Sequence, residues 1–272
     1  MILNEKFTLS NGIEIPKLAL GTWLIPNSSA GEAVKNAVDL GYRHIDTAQV
    51  YENEIGVGEG IRDCKINRED LFITSKVAAE IKNYNQAKKS IDESLERLKL
   101  DYIDLMLIHC PQPWAEFRGE KRYFEENKEV WLALEEAYKE KKVKSIGVSN
   151  FLEDDLENIM TDCNIKPMVN QFLTHITNTP LDLIDFCNKE NILCEAYSPI
   201  AHGKALTNPD IAKFAEKYGV TIAQLCIRYT LQLGMISLPK TVNPDRMAEN
   251  ANVDFEITEE DMNILKNLKE SN

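Results

Sequence analysis

The sequence predicts an α/β fold, a single (β/α)8 barrel of parallel strands preceded by a β-hairpin, and three observations carry that prediction. Short apolar runs alternate with longer segments of helical period from residue 18 onward. Eight such runs occur, at 18–20, 43–46, 71–76, 103–109, 143–149, 167–171, 192–198 and 236–239. Almost every run ends in a residue that hydrogen-bonds or ionises, as the mouth of a parallel barrel requires.

In order, the stretch FTLSNGIEIP at 7–16 alternates apolar and polar residues about Asn11-Gly12, a pair that tolerates positive φ and predicts a two-residue hairpin turn. The first barrel strand runs into Gly21-Thr22-Trp23, which is not the GxGxxG of a doubly wound open sheet. GVGEG at 56–60 lies inside a helical pattern and is spaced differently. The second strand ends on Asp46, with Tyr51 in the loop beyond it; the third ends on Lys76 and the fourth on His109. The last four end at Ser149-Asn150, Asn170-Gln171, Tyr197-Ser198 and Pro239-Lys240.

Segments such as 85–99 and 128–141 place apolar residues three and four apart and are helices. The basic cluster at 139–144 falls at a helix end, where cations complement the carbonyl dipole. A helical segment at 257–270 leads to a short C-terminus at Asn272. No linker or change of composition divides residues 1–272, so one domain is expected.

The net charge of −13 and pI of about 4.9 argue against nucleic acid as a partner. No basic-then-apolar leader opens the chain and no run reaches the roughly 18 apolar residues of a membrane helix, so a soluble cytoplasmic protein is expected. The six cysteines have no CxxC spacing and read as reduced thiols. A metal hydrolase built on His44, Asp46 and His109 lacks a further carboxylate to complete the shell, so no metal is expected.

Burying a carboxylate, an ammonium and a phenol on one rim requires mutual pairing. A phenol titrates near ~10, and a neighbouring cation such as Lys76 favours its ionised form; the expectation is a lowered value and a stronger acid at Tyr51. Asp46 would hold Lys76, and His109 would donate to a carbonyl oxygen.

The segments GYRHIDTAQVYENE, ITSKV, DLMLIHCP, IGVSNF, VNQ, AYSPI and LPKTVNPDRMAEN resemble the aldo-keto reductases in order and spacing across nearly the whole chain. In particular they resemble bacterial and protozoal members related to diketogluconate reductase and prostaglandin F synthase. The resemblance implies a TIM barrel, NADPH as cofactor, a small carbonyl compound as substrate, and a monomer. It implies a catalytic set of Asp46, Tyr51, Lys76 and His109, with Ser149, Asn150 and Gln171 on the nicotinamide carboxamide and Tyr197 stacked on the ring. Further implied cofactor contacts are Gly21, Thr22, Ser198, Pro199 and Ile200, with Lys240, Thr241 and Arg246 at the 2′-phosphate and Glu249 and Asn250 near the adenine. Trp23, Tyr51, His109 and Cys110 would line the substrate pocket.

The alternative for Ser149 and Asn150 is an N-cap pair before Phe151, and both roles can coexist. Two departures bear on the pocket. Cys110 stands where the family usually has tryptophan, with Trp114 further along the loop, and FLTHITNTP replaces the usual pattern after Gln171. The competing function is a nucleotide-binding regulatory subunit on the same fold, catalytically weak.

Overall fold

The structure is a computed structural model that describes residues 1–269. Strands β1 (Lys6–Thr8) and β2 (Glu14–Pro16) pair antiparallel as the hairpin. Its connection is longer than the two residues expected. The Leu9 and Ile13 backbones still pair, and the Gly12 N–H donates to the Leu9 carbonyl with Gly12 at φ 87°. That is a three-residue loop closed by a left-handed glycine, a conformation an L side chain resists.

Eight parallel strands follow: β3 (Ala19–Gly21), β4 (His44–Asp46), β5 (Phe72–Val77), β6 (Leu105–Ile108), β7 (Ile146–Ser149), β8 (Val169–Leu173), β9 (Leu193–Tyr197) and β10 (Ile236–Leu238). They pair in sequence order. The ends of the sheet meet where Leu18 bridges Ser237, the Ser237 N–H donates to Lys17 and the Gly21 N–H donates to Pro239, each bond 3.0 Å. All eight strands lie close to the positions the apolar runs predict.

Ten helices connect or cover the strands: α1 (Asn27–Asp39), α2 (Glu54–Asp63), α3 (Tyr84–Leu98), α4 (Phe124–Lys139), α5 (Glu153–Asp162), α6 (Leu181–Lys189), α7 (Pro209–Tyr218), α8 (Ile222–Gln232), α9 (Pro244–Ala251) and α10 (Glu259–Asn267) among the described residues. The helix expected at 257–270 is α10; Glu270 lies outside the described residues. Local signals set several ends. Asn83 and Asn208 cap α3 and α7, Thr221 and Gln224 form a reciprocal capping box on α8, and Gly219 ends α7 at φ 64°.

GVGEG is a packing device. A Cβ on Gly56 would stand 2.1 Å from the Asn27 carbonyl oxygen, and one on Gly58 would stand 2.2 Å from that of Leu98. These glycines let α2 press against α1 and the end of α3. The main core joins the strands to α1–α6, and a second cluster around Leu225, Cys226, Tyr229 and Met262 lies under α7, α8 and α10. No helix among the described residues is long and apolar enough to cross a membrane.

Candidate active site

The carboxyl ends of the parallel strands bring Asp46, Tyr51, Lys76 and His109 together. Asp46 closes β4 and Lys76 lies near the end of β5, so neighbouring strands hold a carboxylate beside an ammonium. The Lys76 Nζ donates to Asp46 Oδ1 at 2.6 Å, to the Thr47 carbonyl at 2.9 Å and to the Tyr51 hydroxyl at 3.5 Å. Lys76 is fully buried, so these partners replace its water shell.

Burial works against the Lys76 ammonium, but the charge and hydrogen bond of Asp46 lead the effects that outweigh it and hold the group above its ordinary value. The expected lowering of Tyr51 is corrected. Burial raises the phenol above its ordinary value despite the opposing charge of Lys76, because desolvating a phenolate costs more than one cation returns. Tyr51 is therefore a neutral phenol whose hydroxyl faces Lys76.

His109 follows β6. Its ring meets Tyr51 edge-on at 5.6 Å and Trp114 at 5.1 Å, and its Nδ1 is buried without a partner. Burial and Lys76 hold the imidazole well below its usual range, so it is a neutral donor. His44 is tied to Thr74 at 2.9 Å and packs against Phe72, and no group of three His, Cys, Asp or Glu is arranged to hold a metal among the described residues.

Of the predicted cofactor residues, Ser149, Asn150, Gln171 and Tyr197 form one linked group. The Asn150 Nδ2 donates to the His109 carbonyl and to Ser149 Oγ, and the Tyr197 hydroxyl donates to Asn150 Oδ1 at 2.8 Å. The N-cap reading of Ser149 and Asn150 is corrected. Helix α5 begins at Glu153, the Leu152 N–H donates to Asp155, and Asn150 turns at φ 64° to face the barrel mouth. The Gln171 Nε2 donates to Asp46 Oδ2 at 2.9 Å. Thr22 binds the Asp46 carbonyl through N–H and hydroxyl, beside Gly21. Ser198, Pro199 and Ile200 leave β9, with Ser198 at φ 51°.

Lys240 and Arg246 are exposed and form no ion pair among the described residues, whereas Thr241 is buried beside them. Arg246 stands at the start of α9, where Asn243 caps its N–H. Glu249 accepts from Thr221 rather than pairing with Arg246, and Asn250 is buried.

At the pocket, Trp23 is 44% exposed and meets His202 edge-on at 5.3 Å. Cys110 is fully buried and offers a substrate no surface; Trp114, from the same loop, presents its ring beside His109 and packs on Phe117. After Gln171 the strand continues to Leu173, and His175 and Asn178 then close a tight turn.

Two contributors escaped sequence reasoning. Lys82 donates to the Cys110 carbonyl and to Asn127 Oδ1, and burial lowers it to about 8. It braces the segment that follows His109. Glu195 is fully buried on β9 and accepts from Gln171 Nε2 at 2.7 Å. Its signal was present: a lone carboxylate inside ILCEAYS, on the same strand face as Tyr197.

A family model described as the aldo/keto reductase family matches residues 17–270. Glyoxal reductase of Bacillus subtilis (strain 168) is 43% identical, over 98% of this chain and 93% of its own. An aldo/keto reductase crystal structure from Brucella melitensis superposes with a TM-score of 0.89 at 37% identity, covering 96% of this chain and 98% of that one. A Bombyx mori aldo-keto reductase solved in complex with NADP superposes with a TM-score of 0.86 at 32% identity, covering 96% and 92%. Matched by the family model and by relatives along nearly its whole length, the chain belongs to the aldo/keto reductase family.

Proposed function

We propose that this chain reduces small aldehydes and ketones to alcohols with NADPH, Tyr51 supplying the proton. The observation that carries the reading is the fully buried Lys76, held between Asp46 and the Tyr51 hydroxyl with neutral His109 alongside. When bound, the reduced nicotinamide supplies a hydride to the carbonyl carbon. The phenol of Tyr51 gives its proton to the carbonyl oxygen, and Lys76 stabilises the phenolate left behind. Asp46 keeps the ammonium in place, and the neutral imidazole orients the oxygen through one N–H.

The site suits such a cofactor. Among the described residues Gln171 Oε1 takes no hydrogen bond, Tyr197 offers a ring at the mouth, and Lys240 and Arg246 form no ion pair near the start of α9. Unpaired cations at that place suit a phosphate, which guanidinium binds bidentately. Trp23, Trp114 and Phe117 edge a mouth adapted to small carbonyl compounds. Six free cysteines fit a cytoplasmic protein, and the reading carries no need of a second subunit.

The test is cofactor oxidation, followed in the near-ultraviolet, with glyoxal, methylglyoxal and nitrobenzaldehyde and with NADPH and NADH in parallel. Turnover is expected with NADPH. Replacing Lys240 and Arg246 together by Ala should cut the preference for NADPH over NADH by about tenfold or more. Nucleotide binding without turnover would favour the regulatory reading instead.

A further inference from the structure

Gln171 has one amide nitrogen and two N–H groups, and two carboxyl groups on opposite sides take both. Nε2 donates to Asp46 Oδ2 on β4 at 2.9 Å and to Glu195 Oε2 on β9 at 2.7 Å. Turning the amide over would set Gln171 Oε1 against Asp46 Oδ2, oxygen on oxygen in a buried site, which is strongly unfavourable. Oε1 is therefore the only side-chain polar atom that Gln171 has left to offer.

Glu195 forms no hydrogen bond to Lys76, Tyr51 or His109, and its Oε1 has no partner among the described residues. A fully buried carboxyl group costs stability, and an apolar residue would fill its place on β9 at lower cost. What Glu195 does achieve is geometric. Without it, the second N–H of Gln171 would be buried unpaired and the amide would be held by Asp46 alone.

We propose that Glu195 is a positioning residue for the nicotinamide: by taking the second N–H of Gln171 it leaves a fixed acceptor, Oε1, for the amino group of the cofactor's carboxamide. This rests on the nicotinamide reading given above. Glu195 thereby helps to set which face of the ring is turned toward the substrate.

The test compares the affinity of NADP⁺ with that of its analogue in which an acetyl group replaces the carboxamide and so lacks the N–H donor. Quenching of tryptophan fluorescence reports binding without turnover. Wild type should bind NADP⁺ about tenfold more tightly than the analogue. Glu195→Met should shrink that gap to about threefold or less, mainly by weakening NADP⁺, while Glu195→Gln, which keeps an acceptor, should retain it. Glu195→Ala carries the same test where Met hinders folding. An equal loss for both ligands, an unchanged gap in Glu195→Met, or no gap in wild type overturns the proposal. Failure of wild type to bind NADP⁺ at all overturns the nicotinamide reading along with it.

Discussion

At the scale of single residues, the site is decided by which burial is compensated. Lys76 is fully buried yet held above its ordinary value, because Asp46 and its neighbours overcome desolvation. Glu195 shows the opposite balance: burial first, then the charge of Asp46, push its carboxyl up to about 8, against the opposing effects of Gln171 and Lys76. The pH dependence of stability follows. A carboxyl raised from its unfolded value of about 4.5 favours folding at pH values below that value and loses the contribution as pH climbs toward 8, since the folded form keeps a proton that the unfolded chain releases. Glu195→Gln lacks this titration. Its melting temperature relative to wild type should therefore rise between pH 5 and pH 8 by roughly 3 °C or more and level off above, as read by calorimetry. A difference independent of pH would show that Glu195 is ionised in the folded protein throughout.

At the scale of elements, the strand tails set the chemistry and the glycines set the spacing. Gly58 and Arg62, one helical turn apart on α2, both meet the last carbonyl of α3: a Cβ on Gly58 would stand 2.2 Å from the Leu98 oxygen, which accepts from Arg62 at 2.8 Å. Gly58→Ala forces these helices apart and should cost about 3 kcal/mol, or roughly 6 °C in melting temperature, whereas Glu59→Ala on the exposed side should leave it nearly unchanged. Equal effects would show that the contact is not tight. The eight strands were legible because buried parallel strands read as short apolar runs closed by polar tails. The hairpin loop was less legible, since Asn-Gly serves both two-residue and longer turns and only the pairing of Leu9 with Ile13 decides between them. The start of α5 was ambiguous because Ser149 and Asn150 resemble a cap, while it is Asp155 that binds the Leu152 N–H and the helix begins at Glu153.

At the scale of the whole molecule, residues from strands β4 to β9 and their loops converge on one rim, and that convergence carries more weight than any motif alone. The order of polar tails along the sequence made Asp46, Tyr51, Lys76 and His109 visible, because a closed parallel barrel places every strand's carboxyl end at the same mouth. Less visible were groups whose roles depend on neighbours distant in sequence: Glu195 matters through Gln171 and Asp46, and Cys110 is buried while Trp114 takes the rim. The direction of the Tyr51 shift was likewise beyond sequence, since it depends on how far burial outweighs the charge of Lys76. The most direct test of the central claim is to measure, on wild type and Tyr51→Phe side by side, NADPH-dependent reduction of nitrobenzaldehyde and the affinity for NADPH. The account predicts turnover reduced by about 10² or more with cofactor affinity nearly unchanged. Full turnover in Tyr51→Phe would contradict it and require another group to supply the proton.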